Sequence, residues 1–223
     1  MNDNYPILAI ETSGLACGVS LYFSDEKFFS STINLKHSHS EKLFEIIEFL
    51  FEQAGNDRNQ IRFVAVSVGP GSFTGLRVGL AAAKGIARAS GCPIIGVPTF
   101  EALAYELSFY SSDESEIIIS NKVNNEEVYY AKFKISPNNY IFTDPLTILP
   151  IDKLKNIVKG IKLYGNSAKK NYGTLNNSLI CSPSPQYVAK WALIFGKDKL
   201  IFDYDFYEPI YIKNFIVKEK QSK

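Results

Sequence analysis

The residues best placed to do chemistry form one turn, Gly69-Pro70-Gly71-Ser72-Phe73-Thr74-Gly75. It lies between an apolar, β-branched run at 62–68 and a helix-patterned stretch that begins at Leu76. Glycines in a strand-to-helix turn let the backbone bend sharply and approach another group closely. Ser72 or Thr74 can cap the following helix, and backbone N–H groups at a helix start favour an anion or a close-packed partner. Two enzymatic readings fail on residue identity. A P-loop needs Lys and Ser/Thr after its second glycine, but Leu76 and Arg77 follow Gly75. A serine-hydrolase elbow needs glycine two residues either side of the serine, but Ser72 has Pro70 and Thr74 there. A tight structural turn remains an equal reading.

Other reactive side chains are sparse. The two histidines, His37 and His39, are two residues apart, whereas a metal pair on one helix face needs a spacing of three or four. The three cysteines, Cys17, Cys92 and Cys181, are far apart and odd in number, a pattern of buried free thiols rather than a disulfide or metal framework. The formal net charge of +1 offers no general basic field for RNA, so a partner is expected to supply most of any RNA contact. Hydrophobic residues make up 46% of the chain, and no apolar run approaches a membrane span of roughly 20 residues. The N-terminal residues have no basic region of the signal-peptide kind. A cytoplasmic protein is expected.

Taken whole, Gly-Pro-Gly-Ser-Phe-Thr-Gly-Leu-Arg-Val-Gly at 69–79 resembles the signature of the TsaB (YeaZ) family. These are bacterial subunits of the machinery that makes threonylcarbamoyladenosine in tRNA. Three further segments fit in order: Ile10-Glu11-Thr12-Ser13 with 16–21 as the opening hairpin, His39-Ser40-Glu41-Lys42-Leu43 as the start of the first helix, and 207–214 as the Glu-Pro-x-Tyr-x-Arg-Asn ending. The likeness spans nearly the full chain, dense up to about Glu106 and thin from Ser108 to Asp205.

Patterning places strands at 7–12, 16–23 and 27–35, a helix at 40–54, a strand at 62–68, a helix at 75–90, a strand at 92–97 and a helix at 100–109. Periodicity alone supports only an α/β class. The resemblance implies a two-lobed fold of the actin/hexokinase/Hsp70 type (ASKHA, ribonuclease H-like). We expect an N-terminal lobe at 1–105 carrying a partner interface and a smaller, more divergent lobe at 106–223. In the second half, 116–120, 127–135, 140–142, 147–149 and 161–164 read as strands, 151–159 and 187–195 as helices, and 165–185 as loop. The tail at 218–223 is polar and expected to fray.

The helix at 40–54 carries a stripe of Leu43, Ile46, Ile47, Leu50 and Ala54, widened by Phe44, Phe49 and Phe51; Ser38-x-x-Glu41 fits a capping box. Such a helix needs cover on two sides, either inside its own fold or between its sheet and another protein. In the next helix Gly75, Gly79, Ala82, Ala83 and Gly85 let another helix approach. The resemblance implies that these two helices bind the catalytic subunit, TsaD, through Leu43, Ile46, Ile47, Leu50, Arg77, Gly79 and Ala83. A homodimer is the expected substitute when that subunit is absent.

The resemblance also implies that metal, ATP and substrate adenylate belong to partners: TsaD, and a small ATPase, TsaE, that joins the pair. Contact with tRNA would then run through the complex. ATPases of the superfamily generally have Asp in the first strand, where this chain has Glu11 followed by Thr12 and Ser13. Asn121 to Tyr129 departs from the usual Asp-Ala-Arg pattern, and Gly165-Asn166-Ser167-Ala168 only partly matches a Gly-x-Gly-Ala loop. Glu11, Thr12, Ser13, Gly69, Gly71, Ser72, Thr74 and Gly75 are thus expected to form a structural turn or a degenerate nucleotide loop, with no catalytic residue, metal or cofactor beyond weak nucleotide binding. A stand-alone ATP-dependent phosphotransferase with Glu11 as base is the alternative; a metallopeptidase ranks lower, for want of a histidine pair at ligand spacing.

Overall fold

The computed structural model describes residues 4–34, 39–169 and 180–212, with 39–41 and 168–169 described by backbone alone. Its first sheet has the strand order β3-β2-β1-β4-β5. Strands β1 (Ile7–Glu11), β2 (Cys17–Tyr22) and β3 (Phe28–Ile33) form an antiparallel meander; β4 (Phe63–Gly69) and β5 (Ile94–Pro98) continue the sheet parallel to β1. The central strands β1 and β4 are apolar at nearly every position because both their faces are covered. Leu8, Ile10, Val19, Leu21, Val64 and Val66 face helices α1 (His39–Ala54) and α2 (Phe73–Ser90). Ile7, Ala9, Phe63, Ala65, Ile95 and Val97 face α3 (Thr99–Ser108) and α5 (Pro185–Phe195). The edge strand β3 alternates between half-buried and exposed positions.

The second sheet repeats this plan with one strand fewer. Strands β6 (Ser115–Lys122), β7 (Glu127–Ser136) and β8 (Asn139–Pro150) form a meander, and β9 (Lys162–Tyr164) adds parallel to β6, in the order β8-β7-β6-β9. Helix α4 (Ile151–Ile157) covers one face through Ile151 and Leu154. Helix α3 covers the other, presenting Phe100, Leu103 and Leu107 to the second sheet and Ala102 and Tyr105 to the first. A helix between two sheets must be apolar on both sides, and α3 is. A polar relay also joins the layers: Trp191 Nε1 donates to Tyr140 Oη at 2.8 Å, and Tyr140 donates to Glu101 at 2.7 Å. The two β-β-β-α-β units establish a two-sheet α/β class.

Some expectations need correction. The stretches at 140–142 and 147–149 are one strand, β8, interrupted in pattern by Pro145. Proline is tolerated because β8 is an edge strand and its pairing with β7 shifts register around Lys132. Helix α5 starts at Pro185 rather than 187, since proline suits the first helical position, and a short 3-10 helix (Asn166–Lys169) lies within the expected loop. The proposed Ser38 cap, His37, the Lys213-Asn214 ending and the tail at 218–223 lie outside the described residues, as does 170–179 of the loop.

Candidate functional site

The glycine turn closes onto the end of β1. Ser72 is the N-cap of α2, its hydroxyl accepting from the Gly75 amide at 3.2 Å. The Ser72 amide donates to the Ser13 carbonyl at 2.7 Å, and Thr12 Oγ1 donates to the Gly75 carbonyl at 2.8 Å. A Cβ at Gly71 would meet the Ser13 carbonyl, and one at Gly75 the Thr12 carbonyl. The glycines are therefore required by the chain's own backbone approach. Thr74 is exposed on the first turn of α2.

Glu11 lies beneath this turn, 2% exposed. One carboxylate oxygen accepts from the Ser13 amide at 2.7 Å and from the Ser13 hydroxyl; the other accepts from the Ser67 hydroxyl. Burial, with a smaller push from Glu106, raises its pKa to about 7 against the pull of these hydrogen bonds. Glu106, on α3, is itself held high by burial; it accepts from the Ser184 amide at 2.7 Å and the Ser184 hydroxyl at 2.5 Å.

Residues 180–185 cross between the two sheets at this level. The Gly165 amide donates to the Ile180 carbonyl at 2.9 Å, and Asn121 Nδ2 to the Cys181 carbonyl at 3.1 Å. At the other end, a Cβ on Gly14 would meet Ser182 Oγ at 2.9 Å, and one on Gly18 would meet the Pro185 ring at 3.1 Å. The segment thus ties the β6 end and Gly165 to the β1–β2 turn. Composition marks it only as loop; the glycines at 14 and 18 were the available signal for the tie.

Four residues expected at a partner interface are instead in the chain's own core. Leu43, Ile46, Ile47 and Leu50 are 0–6% exposed and pack against the first sheet. The helical stripe selects the sheet because one apolar face suffices to seat α1 there. The outward arc carries Phe44 and Phe49, 52% and 53% exposed, with Glu45, Glu48 and Glu52 between them. Gly79 and Ala83 also face inward: a Cβ at Gly79 would run into Thr12 Oγ1, and Ala83 is fully buried. Gly85 faces open space, and Ala81 is exposed. Of the seven residues only Arg77 is exposed; its guanidinium lies 3.9 Å over the Phe73 ring and its Nε donates to Tyr211 Oη at 2.9 Å.

Among the described residues no cluster of three or more His, Cys, Asp or Glu could hold a metal ion, and no helix is long and apolar enough to cross a membrane. His39 lies in α1, described by its backbone alone.

Comparison with known proteins adds the following. Residues 32–163 match the family model described as TsaD, tRNA N6-adenosine threonylcarbamoyltransferase. The chain is 26% identical over 235 aligned positions to the Haemophilus influenzae "tRNA threonylcarbamoyladenosine biosynthesis protein TsaB", covering 98% of each. It is 27% identical to the protein of the same description from Buchnera aphidicola subsp. Acyrthosiphon pisum, covering 77% of this chain and 84% of that one. In fold it is similar to a Pseudomonas aeruginosa crystal structure described as similar to peptidase YeaZ, with TM-score 0.77 and 18% identity over 94% of this chain and 100% of that one. A second structure, "YeaZ from Pseudomonas aeruginosa", gives TM-score 0.75 over 93% of this chain and 99% of that one.

Proposed function

The chain belongs to the tRNA N6-adenosine threonylcarbamoyltransferase (TsaD) family, as a member of its TsaB (YeaZ) type, and on that footing we propose that it is the non-catalytic subunit of a threonylcarbamoylating complex. Its role is in tRNA threonylcarbamoyladenosine biosynthesis. The observation that carries the non-catalytic reading is the state of Glu11. A general base must come within hydrogen-bond reach of the proton it takes. Both Glu11 oxygens are instead engaged by Ser13 and Ser67 in a buried site. That weighs against a stand-alone phosphotransferase.

The partner is a TsaD-like catalytic subunit, and the contact surface is the outward side of α1 and α2 in the first 105 residues. Phe44 and Phe49 supply the apolar exposure there, Arg77 a stacked cation, and Ala81 and Gly85 a low surface for a facing helix. The interface stays on the two helices that the sequence indicated and moves to their other side. A TsaE-like ATPase joins this pair in the cytoplasm, and metal and ATP are held by the partners. The test is reconstitution: the full chain and a TsaD-like subunit are mixed, and association is followed by size-exclusion chromatography. Phe44→Glu with Phe49→Glu should leave the fold intact and weaken association at least tenfold. Unchanged association would remove this surface from the reading.

A further inference from the structure

The whole-chain charge of +1 conceals a strong asymmetry. Between residues 145 and 197 there are eight lysines and one acidic residue, Asp152. Helix α1, by contrast, carries Glu41, Glu45, Glu48 and Glu52 against a single Lys42. The basic excess is concentrated on α4, the turn after it and the start of β9. Lys153, Lys155, Lys159 and Lys162 are all exposed there. Lys155 pairs with Asp152 at 2.9 Å; among the described residues no ion pair reaches Lys153, Lys159 or Lys162.

The fold fixes where this strip points. Ile151, Leu154 and Val158 anchor it on the face of the second sheet opposite α3, hence away from the first sheet and from α1. Strand β9 is the outer strand of that sheet. Between 151 and 163 no large apolar side chain is exposed. A surface of lysines without an apolar wedge or a stacking ring suits phosphate backbone contact and neither membrane insertion nor base readout.

We infer that the α4–β9 strip of the second lobe is a direct, sequence-independent contact for the phosphate backbone of RNA, namely the tRNA substrate of the complex. This rests on the function proposed above, and it replaces the expectation that tRNA contact runs only through partners. Lysine ammonium groups release counterions from phosphates, so affinity should fall steeply with salt.

The experiment compares wild type with the triple variant K153E/K159E/K162E, using a tRNA transcript. Both the isolated chain and its complex with the TsaD-like subunit are titrated at several salt concentrations. The variant should bind tRNA at least tenfold more weakly at about 0.1 M salt, with a log–log salt slope shallower by about three. Its association with the subunit should be unchanged. K153Q/K159Q/K162Q, with circular dichroism, shows the same direction if charge reversal perturbs folding. Unchanged tRNA affinity and slope in folded variants overturn the inference. So does lysine-dependent binding to phosphatidylglycerol vesicles without any effect on tRNA. Failure of the wild-type chain to associate with the subunit would strike the proposed function instead, because the isolated-chain titration reads the strip independently.

Discussion

Glu11→Gln should flatten a pH dependence that the wild type carries. The Glu11 carboxyl titrates near 7 in the folded protein, raised chiefly by burial, against an ordinary 4.5. The folded state therefore holds the proton more tightly than the unfolded chain. Stability from this group is complete below about pH 4.5 and is lost as pH rises toward about 7. Linkage over that interval gives a wild-type loss of about 2–3 kcal/mol between pH ~5 and ~8. Glutamine can keep the geometry, since its amide oxygen accepts from the Ser13 amide and its NH₂ can donate to Ser67. Glu106 is present in both proteins, so the difference between the two profiles isolates Glu11. The assay is urea unfolding of each protein at pH steps from ~5 to ~8. Wild type should lose stability relative to the glutamine variant across this range. Parallel profiles would mean that the buried carboxyl ionises without cost and that the reasoning from its burial is wrong.

Further substitutions separate inward from outward positions. Gly75→Ala should destabilise by about 1–3 kcal/mol, because its Cβ meets the Thr12 backbone; Gly85→Ala, in open space on the same helix, should stabilise by about 0.5–1 kcal/mol. Thermal unfolding checks both signs. Ile47→Glu should unfold the chain, since it places a charge in the core, whereas Phe44→Glu should leave the circular dichroism spectrum unchanged. Ser72→Ala should cost about 1 kcal/mol through loss of the α2 cap, read by urea unfolding.

The order of elements in the first half was legible because alternation, helical spacing and the 69–75 turn all punctuate the sequence cleanly. What helical spacing left open was the side of α1 and α2 that seats on the sheet. A stripe of Leu43, Ile46, Ile47 and Leu50 looks the same whether a sheet or a partner covers it. The small residues misled for a related reason: Gly75, Gly79 and Ala83 allow close approach, and the approaching group is Thr12 of the same chain or the sheet below. The stretches at 140–142 and 147–149 read as two strands because the edge position that tolerates Pro145 between them is a property of the assembled sheet. The Glu11–Ser67 and Glu106–Ser184 bonds span 56 and 78 residues, and no local pattern encodes such distances. The basic strip was present in the sequence throughout, hidden by a sum over the whole chain.

The central claim is that this chain completes a catalyst without being one. Threonylcarbamoyl transfer to tRNA should be measured with a TsaD-like subunit and a TsaE-like ATPase, with the chain omitted, present as wild type, or present as Glu11→Gln. The account predicts modification only when the chain is present, equal rates for wild type and Glu11→Gln, and no ATP turnover by the chain alone. Full modification without the chain, or ATP turnover by the chain alone that vanishes in Glu11→Gln, would contradict it.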